Sequence, residues 1–194
     1  MLKSLLPLAL LAATAACSYA TPPPRSAGQS ADYVNPRAGL NGQELRLIAG
    51  GLASGTPGLH TNRIFEFGIA RAEIVAAVAA IRGPATGSEA NQECGAGPME
   101  FTSFGPLTLN FQHGRFVGWS LDGPAAAQPI EEEMGLGIGS ARAHLTDGDA
   151  GEARIETTTL GVEFDAGGIH GLLGSDAPDA VVTHLWAGTN CQFR

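Results

Sequence analysis

Phe65-Glu66-Phe67-Gly68-Ile69-Ala70-Arg71-Ala72-Glu73-Ile74 and Leu136-Gly137-Ile138-Gly139-Ser140-Ala141-Arg142-Ala143-His144-Leu145 follow one pattern. Both read apolar, any, apolar, Gly, any, Ala-Arg-Ala, any, apolar. A second pair keeps the same order along the chain. Phe111-Gln112-His113-Gly114-Arg115-Phe116-Val117-Gly118 matches Phe164-Asp165-Ala166-Gly167-Gly168-Ile169-His170-Gly171 as Phe, two residues, Gly, any, apolar, any, Gly. Self-similarity in a fixed order is the signature of a repeated structural unit. The spacing places unit one at about 63–123 and unit two at about 134–194.

Each unit reads as strand, helix, then antiparallel strands. Ile64–Phe67 is a short strand ending at Gly68. In residues 70–82, Ile74, Val78 and Ile81 fall at i, i+4, i+7 on one face, with alanines between and Gly83-Pro84 as the stop. Thr102–Phe104, Leu107–Phe111 and Phe116–Leu121 read as strands. Gln112-His113-Gly114 reads as a hairpin link in which Gly114 takes the left-handed position of a bulge-type turn. In unit two the helix is shorter, about Ala141–Leu145. Strands follow near Arg154–Asp165, Ile169–Leu173 and Val181–Trp186, with a last piece at Cys191–Arg194. Leu45–Ile48 is an early strand before both units. The expected fold is α+β: two tandem strand–helix–antiparallel-sheet units packed as one domain, 43–194, with the helices on one side of a twisted sheet.

The N-terminus gives an address. Lys3 is a positive n-region, and Leu5 to Ala16 is apolar apart from Pro7 and Thr14, as an export signal requires. The run is too short for a permanent membrane span. Thr14-Ala15-Ala16-Cys17 resembles a bacterial lipobox, which would make Cys17 a lipidated N-terminus; plain cleavage after Ser18-Tyr19-Ala20 is the alternative. Residues 21–42, rich in Pro, Gly and Ser, read as a disordered tether. The expected location is therefore exported, as an outer-membrane-anchored lipoprotein or a soluble periplasmic protein. Membrane contact is expected only through Cys17.

Eleven Lys and Arg face nineteen Asp and Glu. Losing Lys3 with the signal leaves a formal charge of −9. That balance works against nucleic acid and anionic headgroups as partners. Cys17, Cys94 and Cys191 are the three cysteines. Either processing route removes Cys17 from thiol chemistry, leaving two in an exported chain, where disulfides persist. A Cys94–Cys191 bond would close a loop of roughly 100 residues and contribute on the order of 4–5 kcal/mol in the chain-entropy model. The rival reading, Cys94 as a nucleophile, lacks a nearby base, and Glu93 would raise a thiol pKa.

The order of elements over roughly 63–194 resembles that of small assembly lipoproteins of the bacterial outer membrane and of the tandem-repeat β-lactamase inhibitory proteins. The resemblance implies a non-catalytic module that uses a sheet face against a protein partner, and no binding residue carries over. The ending Leu185-Trp186-Ala187-Gly188…Cys191 is similar to that of short exported chains labelled aspartate-semialdehyde dehydrogenase. The residues oppose that activity. Gly135-Leu136-Gly137-Ile138-Gly139 follows three glutamates, where phosphate is disfavoured, and lacks the acidic residue in context.

No catalytic constellation emerges, and no cofactor is expected. Gly118-Trp119-Ser120-Leu121-Asp122 lacks the last glycine of a nucleophile elbow. Asp147-Gly148-Asp149 opens like a calcium loop, but Thr158 stands where the closing Glu belongs. The five histidines, at 60, 113, 144, 170 and 184, show no metal-pairing spacing. Glu131–Glu133 reads as a solvated linker. Trp119 and Trp186, with Arg115, are the candidate binding-face residues. Phe116 and Trp119, three apart, should point to opposite faces of a regular strand. The reading is thus an envelope binding or interaction protein for an unknown envelope protein or small ligand; the alternative is an exported hydrolase with a site between the units.

Overall fold

Strand pairing, not helix packing, organises this chain. The computed structural model describes residues 42–56, 63–123, 131–132, 135–147 and 153–191. All of these belong to one unit, Val34–Arg194. The export signal, Cys17, His60, Glu133, nearly all of the tether, residues 148–152 and residues 192–194 lie outside the described residues.

The first strands are β1 (Glu44–Ile48), β2 (Gly51–Gly55) and β3 (Arg63–Glu66), followed by helix α1 (Arg71–Arg82). Next come β4 (Gly87–Asn91), β5 (Met99–Phe104), β6 (Leu107–Gln112), β7 (Arg115–Asp122) and the two-residue β8 (Glu131–Glu132). The six-residue helix α2 (Arg142–Asp147) precedes β9 (Arg154–Thr158), β10 (Gly161–Ala166), β11 (Ile169–Leu173) and β12 (Val182–Gly188). A small sheet has the order β3-β2-β1-β8, and a large one the order β4-β5-β6-β7-β12-β11-β10-β9. The large sheet is antiparallel throughout, whereas β8 joins β1 in parallel.

The α+β expectation is therefore wrong: the protein is mostly β, with two short helices among the described residues. The strand expected to open unit one, at Ile64–Phe67, forms as β3 and lies in one small sheet with the early strand at Leu45–Ile48, joined to it through β2. Gly51–Gly55 and Gly87–Asn91 carry little β-propensity, and ladder pairing makes them strands. Glu131–Glu132 is not a free linker, because its backbone pairs with Arg46 and Leu47. The large sheet is continuous, its two four-stranded meanders meeting where β7 pairs with β12.

The two Gly-x-Ala-Arg-Ala stretches dock alike. Gly68 donates to the Phe116 carbonyl and Arg71 to that of Gly114, at 2.7 and 2.9 Å. In the second stretch Gly139 donates to Val182 and Arg142 to Ala180, at 2.7 and 2.8 Å. Main-chain carbonyls thus take up N-terminal helix amides that Ala70, a residue without a capping oxygen, leaves open. The second sequence match behaves differently. Phe111–Gly118 forms the β6–β7 hairpin and Phe164–Gly171 the β10–β11 hairpin, which hold different places in the strand order.

One core fills the space between α1, the small sheet and one face of the large sheet. Ile74, Val78 and Ile81 of α1 are buried there, as the helical spacing predicts. Leu45, Leu47 and Leu52 enter from the small sheet, and Leu107, Leu109, Phe111, Phe116 and Trp119 from the large one. Phe116 and Trp119 share this core despite their spacing. Phe111 pairs with Phe116 but Asn110 with Gly118, so Val117 is an extra residue that reverses the alternation. The bulge lies there, not in the hairpin turn, where His113 and Gly114 both have positive φ (50° and 71°), as a two-residue hairpin turn requires.

Candidate functional site

Alternation along each strand leaves the other face of the large sheet to polar residues, and cross-strand register sets them in rows. In one row Ser120 pairs with Trp186, Trp186 with His170, His170 with Asp165 and Asp165 with Arg154. In the neighbouring row Asp122 pairs with His184, His184 with Leu172, Leu172 with Glu163 and Glu163 with Glu156.

At the β9–β11 end these rows border an open cleft of about 180 Å³, lined by Arg154, Glu156, Glu163, Phe164, Asp165 and His170. Arg154 Nη2 donates to Glu156 Oε2 at 2.9 Å. Asp165 Oδ1 accepts from the Gly168 amide at 3.0 Å, which fixes the carboxylate to the β10–β11 turn. Glu163 is buried, 4 % exposed. The His170 ring stacks on Trp186 with centroids 6.1 Å apart. Three carboxylates against one guanidinium make the cleft acidic. Its chemistry is to accept hydrogen bonds and to hold cationic groups.

At the seam of the meanders, His184 Nε2 stands 3.9 Å from Asp122 Oδ1. Thr183 Oγ1 donates to the Leu172 carbonyl, so it accepts from His184 Nδ1, 2.9 Å away. Partial burial raises the Asp122 carboxyl above its ordinary value, and the opposing effect of His184 is smaller.

The three expected binding-face residues do not come together. Trp119 is fully buried in the core and donates Nε1–H to the Ile48 carbonyl at 3.0 Å. Trp186 lies on the opposite face, 5 % exposed. Arg115 is at the exposed start of β7, its Nη1 donating to the Gly68 carbonyl at 3.3 Å. Cys94 and Cys191 lie at disulfide distance, with Cα atoms 5.3 Å apart. Among the described residues no group of three His, Cys, Asp or Glu could hold a metal. Two amides of the Gly135–Gly139 stretch are used within the chain: Gly137 donates to Ser140 Oγ and Gly139 to the Val182 carbonyl. The cleft residues Arg154, Glu156, Glu163 and Asp165 escaped sequence reasoning. Glu163 and Asp165 alternate with Val162, Phe164 and Ala166, the period-two signal of a strand with one polar face.

Fold and site together define a mostly β protein with one apolar and one polar face on a continuous eight-stranded sheet. No protein-family model, curated protein or solved structure matches the chain.

Proposed function

We propose that this is an exported, non-catalytic binding protein of the bacterial envelope that holds a basic partner segment against the polar sheet face. The observation that carries the reading is the convergence of Arg154, Glu156, Glu163, Asp165 and His170 on one cleft, in a chain with only 15 % charged residues. A net-acidic cleft attracts Lys or Arg side chains, and the Arg154–Glu156 pair restricts where they sit. The Cys94–Cys191 proximity supports an oxidising compartment. The hydrolase alternative rests on Ser120, Asp122 and His184 sharing the polar face. Its weakness is geometric: Thr183 holds His184 Nδ1, and among the described residues no hydrogen bond joins Ser120 to His184.

Cross-linking in intact envelopes tests the binding reading. Wild type captures a discrete partner, and Glu156→Lys with His170→Ala loses it while near-ultraviolet circular dichroism stays unchanged. Equal capture by the double variant refutes the assigned face. Labelling of Ser120 by a fluorophosphonate would replace the binding reading with the hydrolase. An acylated Cys17, or a mature start at Thr21, shows export in either form; an intact Met1 in the cytoplasm excludes it.

A further inference from the structure

Beyond Gly188 the chain leaves β12 and crosses the polar face of the first meander as a strap, Thr189–Cys191. Gly188 has φ 70°, and a side chain there would meet the Phe67 ring at 2.7 Å. Thr189 donates to the Val117 carbonyl at 2.8 Å. Its own carbonyl lies over Gly118, where a methyl group would overlap it. Asn110, 2 % exposed, donates through Nδ2 to the Thr189 carbonyl at 3.1 Å and to Asn190 Oδ1. Asn91 Nδ2 reaches Cys191 Sγ at 3.5 Å, and Cys191 meets Cys94 in the β4–β5 loop.

We infer that this strap is a redox-releasable cover over the paired residues Asn110 and Gly118, with the Cys94–Cys191 bond as its latch. The two sides of the latch are anchored differently: the strap by the Thr189 amide, Asn110 and Asn190 Nδ2, which donates to the Ala187 and Gly188 carbonyls at 2.9 and 3.2 Å, and the Cys94 loop by the paired strands β4 and β5 that it joins. The Cys94 loop is held independently: Glu93 donates to Asn91 Oδ1, Gly97 to the Cys94 carbonyl, and Gln112 to the Ala96 carbonyl, each at 2.8 Å. The strap lies past the last ladder pair, so it can leave without breaking β7–β12 pairing. Without the latch a few hydrogen bonds of modest net worth must order its backbone. Elements beyond the last ladder open locally first.

The opening reaction is thiol–disulfide exchange with a dithiol. A reagent thiolate attacks Sγ of Cys191, the less buried of the pair, and the S–S bond breaks with Cys94 leaving as thiolate. The reagent's second thiol then displaces Cys191. Two electrons and two protons pass to the protein, giving two Cys thiols, and the reagent becomes a disulfide. Asn110 and Gly118 then face solvent.

Hydrogen exchange read by mass spectrometry tests this on the full chain, oxidised and after dithiothreitol. The expected result, once mass shows both thiols free, is exchange at Thr189 at least about tenfold faster, with β10 amides unchanged. The Cys94→Ser/Cys191→Ser protein, measured without reductant, reproduces that pattern if the latch acts as inferred. Unchanged exchange at Thr189 would falsify the inference. Equal acceleration in β10 would also overturn it, since the bond would then be a global staple.

Discussion

Trp119 donates its indole N–H to the Ile48 carbonyl, 3.0 Å away, and so ties the β1–β2 turn to the centre of the large sheet. Trp119 is 0 % exposed and Ile48 is half-buried, so solvent makes good only part of what the bond contributes. Trp119→Phe keeps most of the ring volume and is expected to cost about 0.5–1.5 kcal/mol, the net worth of one hydrogen bond. Trp119→Ala adds a cavity and is expected to cost about 3–5 kcal/mol. Urea unfolding separates the two; equal stabilities for wild type and the Phe variant would show that this bond contributes nothing.

How much of this was legible beforehand depends on whether the signal was local. Ile74, Val78 and Ile81 announce α1 because helical periodicity needs no partner. The strands around Leu107–Phe111 and Phe116–Leu121 were equally readable, from alternation and turn residues. Gly51–Gly55 and Gly87–Asn91 were not, because register with neighbours makes them strands. Val117 escaped for a related reason: a bulge is visible only when the partner strand is known. At the site, Trp119 and Trp186 carry the same signal in the sequence, yet they lie on opposite faces of the large sheet. Which face a strand residue takes is a property of the assembled sheet.

Cys94 in the β4–β5 loop and Cys191 after β12 lie at disulfide distance across 97 positions of sequence. Non-reducing peptide mapping of protein from its native compartment is expected to yield one cross-linked pair containing both residues. Two free thiols there would refute the pairing. Replacing both by serine is expected to lower global stability by well under the ~4–5 kcal/mol ceiling of the chain-entropy model, because the released strap regains its freedom in the native state as well. A urea-measured loss at that ceiling would show a global staple in place of a latch.

Gly118 and Gly188 pair across the β7–β12 seam, and neither position has room for a side chain. Gly188→Ala meets three obstacles, a left-handed φ of 70°, the Val117 carbonyl and the Phe67 ring. Its expected cost is about 1–3 kcal/mol, from backbone strain and overpacking together. Gly118→Ala has no unfavourable φ and collides first with the Thr189 carbonyl of the strap and then, at 2.9 Å, with the Ala187 carbonyl of β12. Its distinguishing outcome is faster exchange at Thr189 in the oxidised protein. Calorimetry and hydrogen exchange on the two variants check this; an unaltered strap in Gly118→Ala would contradict the close approach.

Asp122 gives a pH dependence whose sign follows from its surroundings. Partial burial disfavours its charged form, so its folded pKa lies above the ordinary 3.8 despite His184 opposite. The native state therefore holds this proton more tightly than the unfolded chain. The penalty is absent below the ordinary value and grows as pH rises through the folded value. Asp122→Asn should gain on wild type over that window, from about pH 3 upward. The side chain is 58 % exposed, so solvent screening keeps the effect small. Thermal midpoints of both proteins against pH provide the measurement. A constant difference across the window, or one that shrinks as pH rises, would show that burial does not govern this carboxyl.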